Sequence, residues 1–343
     1  MSNKYTFKEV PRDEVEKLVK FIDKHWKKGH ALVKSKILLD FQHFNSNKGT
    51  YNFIVAENNE TKEYDALVGF IPTSQYDSNL SAQGDYWGAI WKFRTDVVND
   101  EINNAAFYVW HKIFRLPNFQ SYAAIGISDI AKRIYLASRI PVEYMHHYYI
   151  ANEHVTDFKV GVNLIKGNPS RVSKKALIKD LDIMQFSNHD IACVYRPLKS
   201  VEYIINRYKK HPIYHYDFWG VENNDGMHVI FVVRKHNIGG ISIYRIVDVL
   251  GNLSNVGSLY DAMQERMIKE NIEYVDLMNF GLPEDLFCKL GFQQLDLQQS
   301  DVIVPNYFEP FERRNVKIEI GYKSSFPYVA FKGDSDQDRP NIL

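Results

Sequence analysis

Residues 51–57 (YNFIVAE), 66–72 (ALVGFIP) and 86–96 (YWGAIWKFRTD) decide the fold of this chain. Each segment is rich in aromatic and β-branched residues, which favour strands. The first two segments are separated by an Asn-Asn-Glu sequence at 58–60, which favours a turn. We therefore predict an antiparallel hairpin followed by a third strand.

The segments after the third strand alternate between helix and strand patterns. They are a helix in NNAAFYVWHKIF (103–114), a strand in SYAAIGIS (121–128), a helix in DIAKRIYLASR (129–139) and a closing strand in VEYMHHYYI (142–150). The same order returns between residues 218 and 297, from FWGVE to GFQQLDL. Because so long an order is hard to produce by accident, we predict a duplicated α/β unit with mixed sheets that meet across a cleft.

The length of 343 residues suits two domains, each with its own core. A segment rich in Lys, Gly, Ser and Pro separates the copies and is typical of a linker. We predict a first domain over 1–160, a linker over 161–190, and a second domain with a strand-rich tail over 191–343. The last ten residues mix Asp, Gln, Arg, Pro and Asn, which predicts a solvated terminus.

Composition excludes several classes of function. The 42 basic residues are balanced by 42 acidic ones, so no strong field attracts polyanions, and we expect no nucleic-acid partner. The opening MSNKYTFKEV lacks the apolar stretch of a secretory signal, and no uncharged run reaches membrane-spanning length. We expect a cytoplasmic protein without a membrane span. The only cysteines, Cys193 and Cys288, lack metal-site spacing, and no metal site is predicted.

The order hairpin, strand, loop, helix, strand, helix is similar to that of the GNAT acyltransferases, which implies two tandem GNAT-like domains. In that family the helix N-terminus after the loop holds the pyrophosphate of coenzyme A. The resemblance implies cofactor contacts at Asn103 in the first copy, or at Gly251 and Gly257 in the second. Neither loop carries the usual Gly-rich pattern of the family, and Asp100 and Glu101 should repel phosphate. Which domain holds coenzyme A stays open.

A second family signature, Asn-x-x-Ala-x-x-x-Tyr, resembles Ser128, Ala131 and Tyr135. The resemblance implies that Ser128 lies at the cofactor and that Tyr135 protonates the leaving thiolate, a role that needs an O–H donor near the sulfur. The second copy has Phe287 at the tyrosine position, which cannot donate a proton. An ordinary core tyrosine is the alternative for Tyr135.

Two further groups are candidates for the chemistry. Backbone N–H groups from Phe93 to Thr95 on the third strand are predicted to hold the oxyanion. Glu143, His146 and His147 in VEYMHHYYI are candidate bases. His146 and His147 face opposite sides of a strand, so at most one of them points into a cleft. A partly exposed strand histidine is the alternative for either one.

A more particular resemblance concerns tandem-GNAT N-acyltransferases of bacterial surface-polysaccharide synthesis. The residues that carry it are HWKKGHALVKSKILLDFQH (25–43), FRTD (93–96), HHYYIAN (146–152), EYVDLMNFG (273–281), VIVPNYFEPF (302–311) and KGDSDQDRPN (332–341). It implies transfer of a 3-hydroxybutanoyl or acetyl group from acyl-CoA to the amine of a dTDP-linked amino-dideoxy sugar. The product would enter O-antigen, lipopolysaccharide or capsule.

Two segments are candidates for binding the acceptor. Trp26, His30 and His43 lie where GNAT proteins usually bind it, although a helical hairpin packed on the sheet explains these residues equally well. In PNYFEPF, Tyr307 and Phe308 are candidates for stacking on a thymine. Asn306 and Glu309 in the same loop are candidates for hydrogen bonds to the base or to sugar hydroxyls.

Two other functions stay open. One is an aminoacyl transferase that acts on a peptidoglycan precursor, since such enzymes also pair GNAT folds. The other is a non-catalytic module that binds sugar nucleotides. The sequence gives no prediction of the oligomeric state, the acyl chain or the sugar epimer.

Overall fold

The structure is a computed structural model that describes residues 4–97, 100–167, 175–187, 191, 193–223, 226–299 and 301–343. Its strands are β1 (Tyr5–Pro11), β2 (Phe44–Asn45), β3 (Thr50–Asn58), β4 (Tyr64–Pro72), β5 (Asp85–Phe93), β6 (Ser121–Ile125), β7 (Val142–Tyr144), β8 (His146–Ala151), β9 (Leu177–Asp180), β10 (Asp217–Asn223), β11 (Gly226–Ile238), β12 (Ile241–Gly251), β13 (Ile272–Phe280), β14 (Gln293–Gln294), β15 (Tyr307–Phe308), β16 (Phe311–Glu312), β17 (Glu319–Ser324) and β18 (Ala330–Phe331). Its α-helices are α1 (Val15–Phe21), α2 (Ala31–Lys34), α3 (Lys36–His43), α4 (Asp100–Lys112), α5 (Asp129–Ala137), α6 (Val201–Ile204), α7 (Tyr260–Glu270) and α8 (Glu284–Leu290).

Two mixed sheets organise these elements, which confirms the predicted α/β class. The first sheet has the order β1-β3-β4-β5-β6-β17-β7, with β2 beside β3. The second has the order β14-β8-β13-β12-β11-β10-β9, with β18 beside β13. Among the described strands, each sheet contains one parallel pair, β5 with β6 and β12 with β13, and the other strand pairs are antiparallel.

The strand β3 shows why these sequences are continuously apolar. Phe53 and Val55 pack in a cluster with α1 and α3, whereas Ile54 and Ala56 pack in a second cluster with α4. Successive side chains of a strand point to opposite faces of the sheet, and both faces here are covered by helices. The run therefore stays buried without the polar alternation of a half-exposed strand.

The two sheets exchange strands. The predicted closing strand 142–150 divides at Met145, whose N–H donates to the Ile318 carbonyl at 2.9 Å. Its first part, β7, stays in the first sheet, whereas its second part, β8, pairs with β13 in the second sheet. The tail strand β17 in turn pairs with β6 and β7 in the first sheet. The prediction of a single strand in the first sheet was wrong, because strand periodicity carries no information about which sheet supplies the partner.

The predicted solvated terminus is also wrong. Residues 331–336 are buried, and β18 pairs with the end of β13. Asp334 lies 2.7 Å from the Lys199 ammonium, which also pairs with Asp248 at 2.6 Å. These buried ion pairs hold a charged sequence inside the protein, and composition alone cannot reveal such pairing.

Two further strands, β1 and β9, lie at the edges of the two sheets. A strand that the sequence pattern did not indicate, β1, pairs antiparallel with β3. Part of the predicted linker forms β9 at the edge of the second sheet, while 168–174 and 188–190 lie outside the described residues. The domain boundaries stay a prediction. In the described part of the chain, no helix combines the length and the apolar character needed to cross a membrane.

Candidate functional site

The parallel strands β5 and β6 separate to form a fork. Their pairing runs from Asp85 with Ser121 to Trp87 with Ala123 and then stops, although β5 continues to Phe93. On its other edge β5 shifts register against β4 between Val68 and Phe70, which leaves an extra residue in β5 near Ala89. A bulge bends a strand and increases its twist, so it helps β5 to diverge from β6.

A cavity of about 600 Å³ fills this fork, and we call it the fork cavity. Its wall is mostly apolar, with small residues on the diverging strands. The residues that line it are Trp26, Val68, Gly88, Ala89, Trp91, Lys92, Phe93, Asn103, Ala106, Phe107, Tyr122, Ala124, Ile125, Gly126, Ile127, Ser128, Ile130, Ala131, Ile134 and Tyr135. Five residues proposed from the sequence thus meet here: Trp26, Phe93, Asn103, Ser128 and Tyr135.

Tyr135 is the polar centre of the fork cavity. Its hydroxyl forms a 2.8 Å hydrogen bond with the Tyr122 hydroxyl, and its ring stacks on Trp110 at 4.9 Å between ring centroids. Burial raises the pKa of Tyr135 well above its ordinary value. The phenol therefore stays protonated at neutral pH and can donate a proton to an anion that forms in the cavity.

Gly321 on the exchanged strand β17 makes room for that ring. A Cβ at Gly321 would lie 2.0 Å from Cδ2 of Tyr135. A side chain there would displace the aromatic ring, so the second half of the sequence helps to place Tyr135 in the first sheet.

Two of the three amides predicted to hold an oxyanion already have acceptors. Arg94 N–H donates to the Asp65 carbonyl at 2.9 Å, and Thr95 N–H donates to Nδ1 of His25 at 3.2 Å. Thr95 is exposed and is absent from the lining of the fork cavity. The bulge at Ala89 lines the fork cavity and interrupts the regular backbone hydrogen bonding between β5 and β4.

Ser128 and Asn103 lie at the helix ends beside the cavity. The Ser128 hydroxyl accepts from Ala131 N–H at 3.3 Å and so caps α5. Asn103 is exposed on α4, whose first turn carries Asp100 and Glu101. These carboxylates disfavour a phosphate at the start of α4, as the sequence indicated.

The second sheet has the same fork, but its own chain fills it. Pairing of β12 with β13 ends at Ile246 and Leu277, and beyond that point β18 pairs with Asn279 and Phe280 of β13. Gly333 N–H donates to the Val247 carbonyl of β12 at 2.6 Å. The C-terminal segment (residues 327–343) thus bridges both arms of the second fork.

Two glycines proposed for cofactor binding lie at this filled fork. Gly251 ends β12 at a φ of 110°, and a Cβ there would lie 2.4 Å from the His228 carbonyl oxygen. Gly257 is buried before α7. Close backbone packing accounts for the glycine at 251, and neither residue lines the fork cavity.

A second pocket opens beside the fork cavity, and we call it the polar pocket. It has a volume of about 220 Å³ and shares Gly126 with the fork cavity. It is lined by Gly126, Tyr214, Arg234, His236, Arg245, Asn306, Tyr307, Phe308, Glu309, Lys332, Gln337, Asp338, Arg339 and Asn341. Residues of both sheets and of the C-terminal segment thus meet next to Tyr135's cavity.

The PNYFEPF loop supplies part of this pocket, but two of its side chains are already engaged. Phe308 stacks on His236 at 4.3 Å between ring centroids and lies under the Arg245 guanidinium. Glu309 accepts hydrogen bonds from Tyr214 and Arg234. Tyr307 is only partly buried, although Arg314 and Lys332 lie 5.8 and 6.0 Å from its ring centroid, and it is the ring of this loop that lines the polar pocket with exposed area.

His30 and His43 are buried behind the C-terminal segment. Burial, followed by the charge of Arg339, lowers the pKa of His30 to about 4, while Asp336 acts in the opposite direction. Burial also lowers the pKa of His43 to about 4. Both rings are therefore neutral at pH 7, and neither residue lines the fork cavity or the polar pocket.

The candidate bases lie elsewhere. His146 lines a separate cavity of about 520 Å³ with Glu284 and Gln294, and its Nδ1 is 2.8 Å from Nε2 of Gln294. Glu143 is exposed on β7. His147 faces the other side of β8, where it lies 2.7 Å from Asp276, as strand alternation predicted.

Sequence reasoning missed the cations of the polar pocket. Arg234 and Arg245 lie within the apolar strands β11 and β12, and a charge in such a run is the signal that was overlooked, since charged residues are rarely buried unpaired. Arg339 was placed in a solvated tail, and Lys332 was not singled out. Within the described residues, no three His, Cys, Asp or Glu side chains form a group that could hold a metal ion.

Comparisons with known proteins agree on the fold. No protein-family model and no curated protein matches the sequence. Among solved structures, a GCN5-related N-acetyltransferase from Anabaena variabilis is 10% identical and has a TM-score of 0.52. A conserved protein of unknown function from Enterococcus faecalis, described as a probable N-acyltransferase, is 9% identical and has a TM-score of 0.54. Each match covers 93% of this chain and 72% of the other. At this identity the likeness shows the fold alone, and it confirms the predicted tandem GNAT fold.

Proposed function

We propose that the protein is an acyl-CoA-dependent N-acyltransferase whose thioester lies in the fork cavity. The observation that carries this proposal is the open fork between β5 and β6, with the protonated Tyr135 hydroxyl at its wall. A mostly apolar cavity with a few placed hydroxyls suits an acyl chain and a pantetheine arm. The GNAT fold of the solved neighbours supports the same chemistry by analogy.

The proposed reaction is direct attack of an amine on the thioester carbon. The C–N bond forms, the C–S bond breaks, and Tyr135 donates its proton to the departing thiolate while Tyr122 keeps the phenol oriented. Because the amides of Arg94 and Thr95 are engaged, we assign the oxyanion to the bulge at Ala89. A neutral amine needs only water to take its proton, so this scheme no longer uses Glu143 and His146.

The proposed acceptor is a dTDP-linked amino-dideoxy sugar, as the sequence resemblance implies. Its amine would enter at Gly126, where the fork cavity and the polar pocket meet. One further pocket, of about 310 Å³, also includes Gly126 and Tyr307 and offers an open path for the nucleotide. Tyr307 can stack on the base there. In this proposal the product serves O-antigen or capsule synthesis in the cytoplasm.

Thiol release tests this function. Purified protein is mixed with acetyl-CoA or 3-hydroxybutanoyl-CoA and a dTDP-3-amino-3,6-dideoxyhexose, and free coenzyme A is followed with a thiol reagent. We expect release that depends on the amino sugar, with an N-acylated product in the mass spectrum. The same sugar nucleotide with a hydroxyl in place of the amine is the matched control. Absence of turnover with both acyl donors would refute the proposal.

The filled second fork favours one alternative, a binding module without catalysis. In this fork the space between β12 and β13 is occupied by the chain's own C-terminal segment. A binding module would retain affinity for the sugar nucleotide but release no thiol in the same assay. An aminoacyl transferase would instead show acceptor-dependent turnover only with an aminoacyl donor.

A further inference from the structure

The polar pocket contains hydrogen-bonding atoms that face no partner. Nε2 of His236, Nδ2 of Asn306 and Nε of Arg339 are buried and make no hydrogen bond to any residue that the structure describes. His236 and Asn306 are only 7% and 3% exposed. Leaving a buried polar group unsatisfied costs about 1–3 kcal/mol, so three such atoms on residues that line one pocket favour a polar ligand there.

The same pocket holds a cation without a counter-ion. Arg234 pairs with Asp338 at 3.2 Å, Arg245 reaches Asp276 at 3.0 Å, and Arg339 pairs with Asp336 at 2.5 Å. Lys332 is 4% exposed and its Nζ donates only a long 3.4 Å bond to the Gln337 carbonyl. Within the described ranges, no carboxylate lies within ion-pair distance of Lys332, in contrast to these three arginines.

The unpartnered groups of the polar pocket are all hydrogen-bond donors or cations. The amide Nδ2 of Asn306, the guanidinium Nε of Arg339 and the ammonium of Lys332 are all donors, and His236 becomes one when its proton is on Nε2. The two carboxylates that line the pocket, Glu309 and Asp338, are both held by Arg234. A ligand that fills the pocket must therefore bring acceptor oxygens, and a negative charge would give Lys332 the partner it lacks.

We propose that the polar pocket is an oxyanion subsite, which holds a phosphate or carboxylate group of the acceptor while the acceptor's amine faces the fork cavity. The link to the amine rests on the proposed function, but anion binding does not. The connection between the two sites is short. The Gln337 side chain lies against Gly126, since a Cβ there would be 3.3 Å from Gln337 Oε1. With a volume of about 220 Å³, the pocket holds one such group and not a whole nucleotide sugar.

Calorimetric titration of the full chain tests the subsite, with inorganic phosphate, dTDP and acetate as separate probes. We expect binding of at least one probe and a loss of roughly tenfold or more in affinity in Lys332→Met, which keeps the side chain's apolar volume but removes the charge. Lys235→Met is the matched control, because Lys235 is exposed and follows Arg234 on β11 with its side chain on the other face. This control should bind like the wild type.

A second variant covers the case in which Lys332→Met fails to fold. Asn306→Asp is nearly isosteric, keeps an oxygen for Arg245, and replaces the unpartnered donor with an acceptor. It should weaken the same probe by roughly tenfold, because a carboxylate repels an oxyanion. Thermal unfolding of each variant establishes that it is folded before titration.

The outcomes separate the two sources of the oxyanion. Binding of phosphate and dTDP that both variants weaken supports a phosphate of the acceptor, whereas binding of acetate alone supports an acidic amine such as an amino acid. If no probe binds, or if neither folded variant changes the affinity, the subsite is refuted. Coenzyme A is titrated in parallel. Coenzyme A binding without anion binding refutes the subsite alone, and the converse refutes the proposed function alone.

Discussion

The two forks have the same topology and opposite contents. Between β5 and β6 the strands carry Gly88, Ala89 and Ala124, and a cavity of about 600 Å³ remains. Between β12 and β13 the gap is occupied by β18 and Gly333. Splayed parallel strands leave unpaired backbone groups, which must be satisfied by chain, ligand or water. The second fork satisfies them internally, whereas the first leaves space for a ligand.

The filled fork also explains how the site is assembled. The C-terminal segment that closes it brings Lys332, Gln337 and Arg339 to the polar pocket beside the open fork. Ser335 reaches further, since its hydroxyl donates to the Gly88 carbonyl at 2.8 Å. The segment that fills one fork thus also lines the pocket beside the other fork.

The largest effect is expected from breaking the filled fork. In Lys199→Met, Asp248 and Asp334 would lose their shared cation while both stay buried. Removing one partner of a buried ion network costs about 3–5 kcal/mol, so we expect the free energy of unfolding to fall by that amount in urea denaturation. Lys209→Met is the control, because Lys209 is exposed and lies ten residues after Lys199. It should change the free energy of unfolding by less than about 0.5 kcal/mol. Equal stability of the two variants would show that the segment is not held by these charges.

The chemistry of the open fork is tested at Tyr135. Tyr135→Phe keeps the ring on Trp110 and removes the proton donor, so we expect kcat to fall by about 10²-fold with little change in KM. Stopped-flow thiol release measures both constants. Tyr144→Phe, beside the separate cavity of His146, is the control and should react like the wild type. An unchanged kcat in Tyr135→Phe would leave Tyr135 as a core residue only.

The open fork can also be filled artificially, so that it imitates its counterpart. In Ala131→Phe a ring would project from α5 into the fork cavity, and we expect coenzyme A to bind at least about tenfold more weakly, or ~1.4 kcal/mol. Leu136→Phe on the same helix is 52% exposed, is absent from the cavity lining and should bind normally. Calorimetry gives both affinities. Normal binding to Ala131→Phe would place coenzyme A outside this fork.

The smallest effect is a pH dependence at the polar pocket. Burial and Arg245 lower the pKa of Lys332 to about 8, with Arg339 acting in the same direction and Asp338 and Asp336 opposing it. The Lys332 amine carries a positive charge below pH 8 and loses this charge as the pH rises through that value. Oxyanion affinity should therefore fall by up to about tenfold between pH 7 and pH 9. Titrations at both pH values check this, and Lys332→Met should show no such slope.

Some candidate site residues could be proposed from short sequence segments, whereas others depended on contacts between distant parts of the chain. Tyr135, Ser128, Phe93, Asn103 and Trp26 were proposed from short segments of sequence, and the structure places all five around one cavity. The assignments at Glu143 and His146 depended on where a strand ends. That point is decided by partner strands about 120–180 residues away in sequence, which a local pattern does not contain.

The sequence by itself determined the two mixed α/β units, since apolar periodicity and turn residues act within a few positions of each other. Only the tertiary structure decided the exchange of β8 and β17, the burial of the charged C-terminal segment, and hence which fork stays open. A buried charge is tolerated only when a partner reaches it. The partners of Asp334 and Asp338, Lys199 and Arg234, lie more than 100 positions away in the chain.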